Sequence, residues 1–279
     1  MLLPKNLKLL TFSKWNNNAP YVPFGFLDFD EESDGAGSYY GLYWFYGRED
    51  MEPVVCWYEH EIWSLEITHN CLDDFLVEFG YSESNSDNLD IYDSGSEFLK
   101  AKLKAQKGDL DNCILQMNVF VNHVPEDSEA WGILADVHRR KGDTENADKM
   151  ALKSILSNWS FGFPTQKSIQ QFKKINQNGS LSNDSLVKRL NDFELTASYN
   201  ELSMSYDVVK QAIDEYYEKK EYINALILEH NYALMISNET SSFQFKNDFN
   251  VDIWKEQFQL KCEKYLNRST LSFEDIFKR

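Results

Sequence analysis

The spacing of hydrophobic and polar residues divides the chain into two regions. Up to about residue 80, short runs of aromatic and β-branched residues alternate with Gly, Pro and acidic positions, a pattern typical of strands. Beyond residue 96, apolar residues recur every three or four positions, which indicates helices. Residues 82–96 lie between the two and are rich in Ser, Asn and Asp, so they predict a linker.

The first region predicts a small antiparallel meander closed by a helix. Val54–Tyr58 and Ile62–Ile67 flank the polar triplet Glu59–Glu61 and predict a hairpin, since both runs are dense in strand formers. The three- and four-residue spacing of Leu72–Phe79 predicts a short helix that ends at Gly80. Two further strands are predicted before the hairpin, at 24–29 and 39–45.

The second region predicts helices and no strand. The nine predicted helices cover 95–106, 110–122, 127–140, 144–157, 166–176, 184–200, 206–219, 222–237 and 249–267. This part of the chain is therefore expected to be an all-α domain.

An internal repeat of 34 residues lies within the helical region. The tripeptide Lys107-Gly-Asp109 recurs as Lys141-Gly-Asp143, and the same offset relates Ala101 to Ala135, Cys113 to Ala147 and Leu103 to Val137. Small residues allow two antiparallel helices to approach closely, and the glycine allows the turn between them. Since one helical hairpin cannot bury its apolar face alone, the repeat predicts stacked hairpins.

This period and pattern resemble the tetratricopeptide (TPR) family. Pro125 closes the first unit, as the family prefers. The second unit has residues that the family prefers at five positions: Trp131, Leu134, Ala135, Gly142 and Ala147. Two residues depart from the pattern. Lys100 stands at a position of the first unit where the family has an apolar residue, and Trp159 stands where the second unit should have its closing Pro. A looser third unit is predicted at 206–238, on the residues Ala212, Tyr216, Tyr222, Ala225 and Tyr232. The resemblance implies a TPR-like solenoid whose concave groove binds a peptide or protein.

A second resemblance concerns residues 35–79. Gly35-Ala-Gly-Ser-Tyr-Tyr-Gly-Leu-Tyr-Trp44, Glu52-Pro-Val-Val-Cys56 and Trp63-Ser-Leu65, followed by the closing helix, resemble part of the SUKH superfamily. That superfamily includes bacterial immunity proteins that bind and neutralise toxins. The resemblance implies an α+β domain whose function is to bind another protein.

The charge of the chain is concentrated in its first third. The formal net charge is −17, and residues 1–92 hold 17 Asp and Glu against 4 Lys and Arg. Nucleic acid is excluded as a partner, because phosphates require a basic surface. A basic protein surface is the expected partner, although acidity that only maintains solubility is an equally good interpretation. The predicted partner-binding residues are Asp28, Asp30, Glu31, Glu32, Asp34, Glu49, Asp50 and Glu52.

No constellation predicts catalysis, a metal or a cofactor. Cys56, His60, His69 and Cys71 have ligand chemistry that suits zinc, but their spacing matches no compact zinc motif, so packing of Cys56 is the preferred interpretation. A calcium loop starting at Asp30 would place Gly41 where the bidentate Glu is required. We expect a protein that is not an enzyme and has no catalytic residue, metal or cofactor.

The four cysteines are widely spaced, which favours reduced thiols and a cytoplasmic location. Pro4, Lys5 and Lys8 interrupt the first apolar run, so no signal peptide is expected, and no stretch is apolar enough for a membrane span.

The sequence therefore predicts an α+β fold: a small antiparallel meander with a closing helix, followed by an all-α TPR-like solenoid. The predicted domains are residues 1–85, SUKH-like, and residues 93–279, helical and TPR-like. The predicted function is binding of a toxin or effector with a basic surface, as an immunity protein does. The alternative is a TPR adaptor or regulator that holds a partner in its concave groove. The oligomeric state is left open.

Overall fold

Two compact units make up the fold. The computed structural model describes residues 9–10, 28–29, 38–48, 51–59, 64–78, 94–198 and 201–266. The first unit comprises Met1–Tyr92 and Val251–Arg279, and the second comprises Asp93–Asn250. The C-terminal segment that the sequence assigns to the helical domain thus groups with the first unit.

A three-stranded antiparallel sheet forms the centre of the first unit. Its strands are β3 (Tyr39–Tyr43), β4 (Val54–Glu59) and β5 (Ser64–His69), in the order β3-β4-β5. A separate two-stranded pair joins β1 (Leu9–Leu10) to β2 (Asp28–Phe29). The predicted hairpin of β4 and β5 is confirmed, because Glu59 pairs with Ser64 and Cys56 with Ile67.

A short helix, α1 (Leu72–Glu78), follows the sheet as predicted. Its residues Leu72, Phe75 and Leu76 are buried, and the Phe75 ring lies 5.1 Å from that of Tyr40 on β3, centroid to centroid. The three- and four-residue spacing of these apolar side chains therefore directs one face of α1 into the core of this unit.

The last helix that the structure describes in the first unit is α10 (Val251–Tyr265). Its residues Trp254, Phe258 and Cys262 are buried, and the rings of the first two stack with centroids 4.8 Å apart. Four-residue spacing again places these side chains on one face of the helix.

Two helical hairpins begin the second unit, as the internal repeat predicts. The first, hairpin 1, comprises α2 (Ser94–Lys107) and α3 (Leu110–His123), and the second, hairpin 2, comprises α4 (Ser128–Arg140) and α5 (Thr144–Ile155). Gly108 and Gly142 make the two turns, each with φ of +81°, a conformation that costs glycine little. The buried residues Ala101, Ala135, Cys113 and Ala147 are 0% exposed, and α4 packs against both α2 and α3.

A further helix, α6 (Gln166–Phe172), packs against α4 and α5. The approach to α4 is close at Gly132, where an added Cβ would clash with the side chain of Ser168. Arg139 of α4 donates to Gln171 of α6 at 3.0 Å and to Asp148 of α5 at 2.9 Å, so one guanidinium connects three helices.

The prediction of a helix at 184–200 is wrong. The chain there forms a 3₁₀ turn at Val187–Arg189 and then a β-hairpin of β6 (Leu195–Ser198) and β7 (Glu201–Met204). Asp184 accepts hydrogen bonds from the amides of Leu186 and Val187, and this local capping competes with a continuous helix. The prediction that no strand lies in this region is corrected at the same place.

A third helical hairpin comprises α7 (Tyr206–Glu218) and α8 (Tyr222–Ser237), and a short helix, α9 (Ser241–Lys246), follows it. Residues Ala225–Ile236 of α8 are all buried. Asn231 of α8 accepts from the Trp159 amide at 3.0 Å and donates to the Ser157 carbonyl at 2.7 Å, which holds a 3₁₀ turn at Trp159–Phe161 on this helix.

In the part of the chain that the structure describes, no helix has the length and apolar character needed to cross a membrane.

Candidate functional site

The structure describes two of the eight predicted partner-binding acids. The backbone of Asp28 lies in β2, and Glu52 is exposed two residues before β4. The remaining six lie outside the described residues, so their position on one face stays a prediction: Asp30, Glu31, Glu32, Asp34, Glu49 and Asp50.

Glu52 is part of an acidic patch that the sequence analysis did not assemble. We define the acidic patch as Glu52, Asp73 and Asp74. Partial burial raises the pKa of the Glu52 carboxyl, and the charges of Asp73 and Asp74 raise it further. The charges of Asp73 and Asp74 therefore act on the Glu52 carboxyl. Within the described residues, none of the three forms an ion pair with Lys or Arg.

The position of the patch follows from the amphipathic character of α1. Asp73 and Asp74 occupy the first turn, where carboxylates interact favourably with the positive end of the helix dipole. The buried Leu72 and Phe75 flank them in sequence, so the two acids take the solvent side of the helix. An acidic pair in the first turn of an amphipathic helix was the sequence signal that could have identified them.

Cys71 adjoins the acidic patch, and its surroundings disfavour the thiolate. Burial raises the pKa of its thiol to about 11, and interactions with Asp74 and Glu52 contribute to the increase. The thiol is therefore protonated at neutral pH, and the thiolate required for nucleophilic attack or metal binding is rare.

The structure describes three of the four residues considered for zinc, namely Cys56, His69 and Cys71. Cys56 is 0% exposed within β4, so the prediction that it packs as an apolar residue is confirmed. His69 contacts Thr68 through Nδ1 at 3.0 Å and Glu78 through Nε2 at 2.9 Å. Among the described residues, no three His, Cys, Asp or Glu side chains group as metal ligands would, and His60 lies outside those residues. None of the four cysteines forms a disulfide bond.

Glu215 of the second unit is, by contrast, paired with three cations. Glu215 of α7 accepts from Lys188 at 2.9 Å and Arg189 at 2.6 Å and forms an ion pair with Lys219 at 2.7 Å. Hydrogen bonding to Lys219, together with the other two cations, lowers the pKa of Glu215 to about 2. These contacts hold the 3₁₀ turn at Val187–Arg189 against α7, which is a structural role.

Several large aromatic residues of the helical region are buried. Trp131 is 8% exposed and donates from Nε1 to the Pro125 carbonyl at 2.7 Å, while Trp159 is 1% exposed. Tyr216 is also buried, and its hydroxyl donates to Asp184 at 2.8 Å. These side chains stabilise the fold and are not available as contacts for a partner.

Exposed apolar side chains occur instead on the outer faces of hairpin 1. Leu99 and Leu103 of α2 are 57% and 49% exposed, and Leu115 and Val119 of α3 are 65% and 47% exposed. Sequence reasoning paired Leu103 with the buried Val137 and therefore missed its exposure.

Comparison with known proteins identifies similarity to one set of families. Residues 11–90 match the family described as YfbP N-terminal domain, and residues 200–272 match the family described as YfbP C-terminal domain. The chain is 29% identical over 261 residues to the "Uncharacterized protein YfbP" of Escherichia coli strain K12, an alignment that covers 91% of this chain and 93% of that protein. No solved structure matches the chain. The descriptions of both families name no activity.

Proposed function

We propose that this chain is a non-enzymatic protein-binding protein whose first unit docks on the basic surface of a partner. The observation that carries the proposal is the acidic patch, in which Glu52, Asp73 and Asp74 lie close enough to raise the pKa of Glu52 and have no ion pair within the described residues. Carboxylates that repel one another in the free protein gain more from an approaching cation than isolated ones do.

The charge distribution along the chain supports the same proposal. Residues 1–92 carry 17 acidic and 4 basic residues, so this part of the chain has a net negative potential. Such a potential raises the association rate with a basic partner, because attraction acts before contact is made. The other seven predicted acids, Asp28 to Asp50, would extend the patch in this proposal.

The SUKH resemblance of residues 35–79 suggests what the partner is. Immunity proteins of that superfamily bind a toxin directly, and toxins that act on nucleic acids have basic surfaces. In this form of the proposal, the first unit neutralises a toxin that is encoded nearby.

The test measures association with the product of the adjacent gene at low and high salt. The variant Glu52→Gln/Asp73→Asn/Asp74→Asn removes the charges of the patch while keeping the side-chain shapes. We expect the association rate to fall about tenfold at low salt and to approach the parent rate at 0.5 M salt, where the screening length is only a few ångströms.

A variant of the second unit with the same change in net charge is the control. Glu97, Asp111 and Glu145 form ion pairs with Lys100, Lys141 and Lys149, so neutralising these acids should change the association rate much less. Lysozyme serves as a basic protein of unrelated fold. Equal losses for the two triple variants, or equally tight binding of lysozyme, would show that no specific acidic docking face exists.

A second candidate function is that of an adaptor built on TPR-like hairpins. The observation that favours it is the shared geometry of hairpins 1 and 2, which have the same glycine turn and the same small buried residues at a 34-residue offset. In this candidate the second unit holds the partner. An association rate that is independent of salt and of the acidic patch, with binding intact, would favour the adaptor.

A further inference from the structure

One face of α2 exposes apolar side chains at a helical spacing. Leu99 and Leu103 lie four residues apart and therefore on the same face, and they are 57% and 49% exposed. Isolated exposed leucines are common on protein surfaces, but a pair on one helix face is of interest when its counterparts elsewhere in the molecule are buried.

The internal repeat supplies those counterparts. Adding 34 to each number relates Leu99 to Ile133 and Leu103 to Val137 of α4, which are 6% and 0% exposed. The same operation relates Leu115 and Val119 of α3 to Lys149 and Lys153 of α5, both in contact with solvent. The α2 pair therefore occupies a position that hairpin 2 buries, whereas the α3 pair occupies a position that both hairpins expose.

The helices that pack on α4 show which packing partner α2 lacks. The helix α6 lies on the Ser128 and Gly132 face of α4, since Ser168 abuts Gly132 and donates to the Ser128 carbonyl. Ile133 follows Gly132 by one residue and is about 100° further round the helix, away from α6. Hairpin 1 packs on α4 as well, and Lys102 of α2 contacts Glu129, which lies four residues before Ile133 and so on the same side of α4.

In hairpin 1, α4 packs on α2 at the position that corresponds to the one where α6 packs on α4. Lys102 of α2 donates to Glu129 of α4 at 2.7 Å, and Arg140 of α4 donates to the Ala105 carbonyl at 2.8 Å. These contacts lie on the face of α2 that corresponds to the α6 face of α4. The leucine face of α2 therefore corresponds to the side on which a preceding hairpin would pack, and it is open.

A row of lysines borders the leucines and indicates the charge of the occupant. Lys100, Lys104 and Lys107 follow one another at intervals of four and three residues, so they line α2 beside Leu99 and Leu103. Lys100 forms an ion pair with Glu97, while Lys104 and Lys107 form no ion pair within the described residues. A basic stripe is notable in a chain of net charge −17.

We propose that this face of α2 binds an acidic amphipathic helix of a partner protein, packed on Leu99 and Leu103 as hairpin 1 packs on α4, with its carboxylates on the lysine stripe. The proposal concerns the second unit and does not depend on the acidic patch or on the function proposed for it. Apolar contact provides the affinity, and the lysines fix the charge of the partner helix.

The test uses the full chain and two fluorescein-labelled synthetic helical peptides, measured by fluorescence anisotropy. Both peptides carry Leu at positions four apart on one face; one carries Glu beside the leucines and the other carries Lys. We expect the Glu peptide to bind and the Lys peptide to bind at least about tenfold more weakly. The preference should decrease as salt rises.

Two matched double variants identify the face. Leu99→Glu/Leu103→Glu should weaken binding of the Glu peptide at least about tenfold, as loss of a buried anchor does. Leu115→Glu/Val119→Glu introduces the same charges on the α3 face and should change the affinity less than about twofold. The variant Lys104→Glu/Lys107→Glu should reverse the preference between the two peptides.

Several outcomes would overturn the proposal. Leu99→Glu/Leu103→Glu and Leu115→Glu/Val119→Glu could have equal effects, or the two peptides could bind equally. Either result would mean that the leucine face of α2 is only the solvent-exposed end of the repeat. A parent chain that is dimeric by light scattering, and that Leu99→Glu/Leu103→Glu makes monomeric, would identify a second copy as the occupant. Absence of peptide binding together with a lower Tm for that variant alone would mean that the leucines pack within the chain. Loss of peptide binding would leave the salt-dependent association through the acidic patch unaffected, so the two proposals fail separately.

Discussion

Hairpins 1 and 2 have the same backbone geometry at their turns and differ in the side chains that they bury. Their turns repeat the same hydrogen bonds, from the Asp109 amide to the Lys104 carbonyl and from the Asp143 amide to the His138 carbonyl, both at 3.0 Å. Hairpin 2 buries Trp131, whereas hairpin 1 has the half-buried Glu97 at the corresponding position. The glycine and the small packing residues thus determine the hairpin geometry, while the neighbours of each hairpin determine which other positions can be apolar.

The largest difference is expected from Trp131→Ala and its counterpart Glu97→Ala. Trp131 is 8% exposed, its Nε1 donates to the Pro125 carbonyl, and the ammonium of Lys153 lies 4.3 Å from its ring centroid. Truncation should lower the free energy of unfolding by about 3–5 kcal/mol, as for other large-to-small core changes. Urea unfolding followed by circular dichroism measures this change.

Glu97→Ala is the matched control, because it truncates the equivalent position, where the half-buried side chain pairs with Lys100. Its effect should stay within about 0.5 kcal/mol. A parent-like stability of Trp131→Ala, or a large loss in Glu97→Ala, would contradict the assignment of burial to the neighbours of each hairpin.

Much of the helical fold was predictable, because its signals are local. The repeat, its two glycines and the apolar spacing predicted α2 to α5 to within two residues of their observed ends. The segment 184–200 was predicted wrongly because Asp184 caps it locally and side chains distant in sequence then hold the irregular backbone. Asp184 accepts from Tyr216 of α7, and Lys173 donates to the carbonyls of Leu190 and Phe193, and no local pattern encodes these contacts.

The candidate sites were predictable in part. Glu52 was identified from charge alone, whereas Asp73 and Asp74 belong to another element and join it only through the fold. The exposure of Leu103 could not be read from the repeat, because a repeat shows which positions correspond and not whether a neighbour covers them.

A second difference concerns the two Asp residues that cap the helices of hairpin 2. Asp127 accepts from the Ala130 amide at 2.7 Å and Asp143 from the Asn146 amide at 3.2 Å, so both fill the same role. Burial raises the pKa of Asp127 from 3.8 to about 6, while hydrogen bonds from Asn146 lower the pKa of the exposed Asp143. The cap at the junction of the hairpins therefore carries a destabilised charge, and the cap within hairpin 2 carries a stabilised one.

Asp127→Asn should stabilise the protein above pH 7, since Asn caps a helix as well as Asp and carries no charge. The folded-state pKa of Asp127 is raised, so its contribution to stability is fully present below pH 3.8 and is lost as the pH rises through about 6. The gain should be about 1–3 kcal/mol at pH 8 and should disappear near pH 4. Urea midpoints measured at both pH values provide the comparison.

Asp143→Asn should show the opposite sign. Because its folded-state pKa is lowered, the Asp143 carboxylate stabilises the protein above its unfolded pKa, and that contribution is lost as the pH falls through the folded pKa. The Asn variant should therefore be less stable than the parent at pH 8 and equal to it in strong acid. Parallel pH profiles for the two variants would rule out the proposed difference between the caps.

The smallest effects are expected at the turns themselves, where the third hairpin extends the comparison. Its turn repeats the hydrogen bond of the other two, from the Glu221 amide to the Tyr216 carbonyl at 2.9 Å, but Lys220 takes the place of the glycine, with φ of +64°. A Cβ added at Gly108 or Gly142 would meet no atom within 4 Å, so Gly→Ala costs only the left-handed conformation, about 1 kcal/mol at either position.

Lys220→Gly should for the same reason stabilise the protein by about 0.5–1 kcal/mol. Lys220→Ala separates relief of the backbone from loss of the lysine side chain, because Ala keeps the Cβ and should leave stability within about 0.3 kcal/mol of the parent. Urea midpoints at unchanged m-value measure all four variants. If Lys220→Gly and Lys220→Ala destabilise equally, the side chain of Lys220 contributes to the fold and the three turns are not equivalent. If Gly108→Ala is tolerated and Gly142→Ala is not, the difference between hairpins 1 and 2 extends to the backbone.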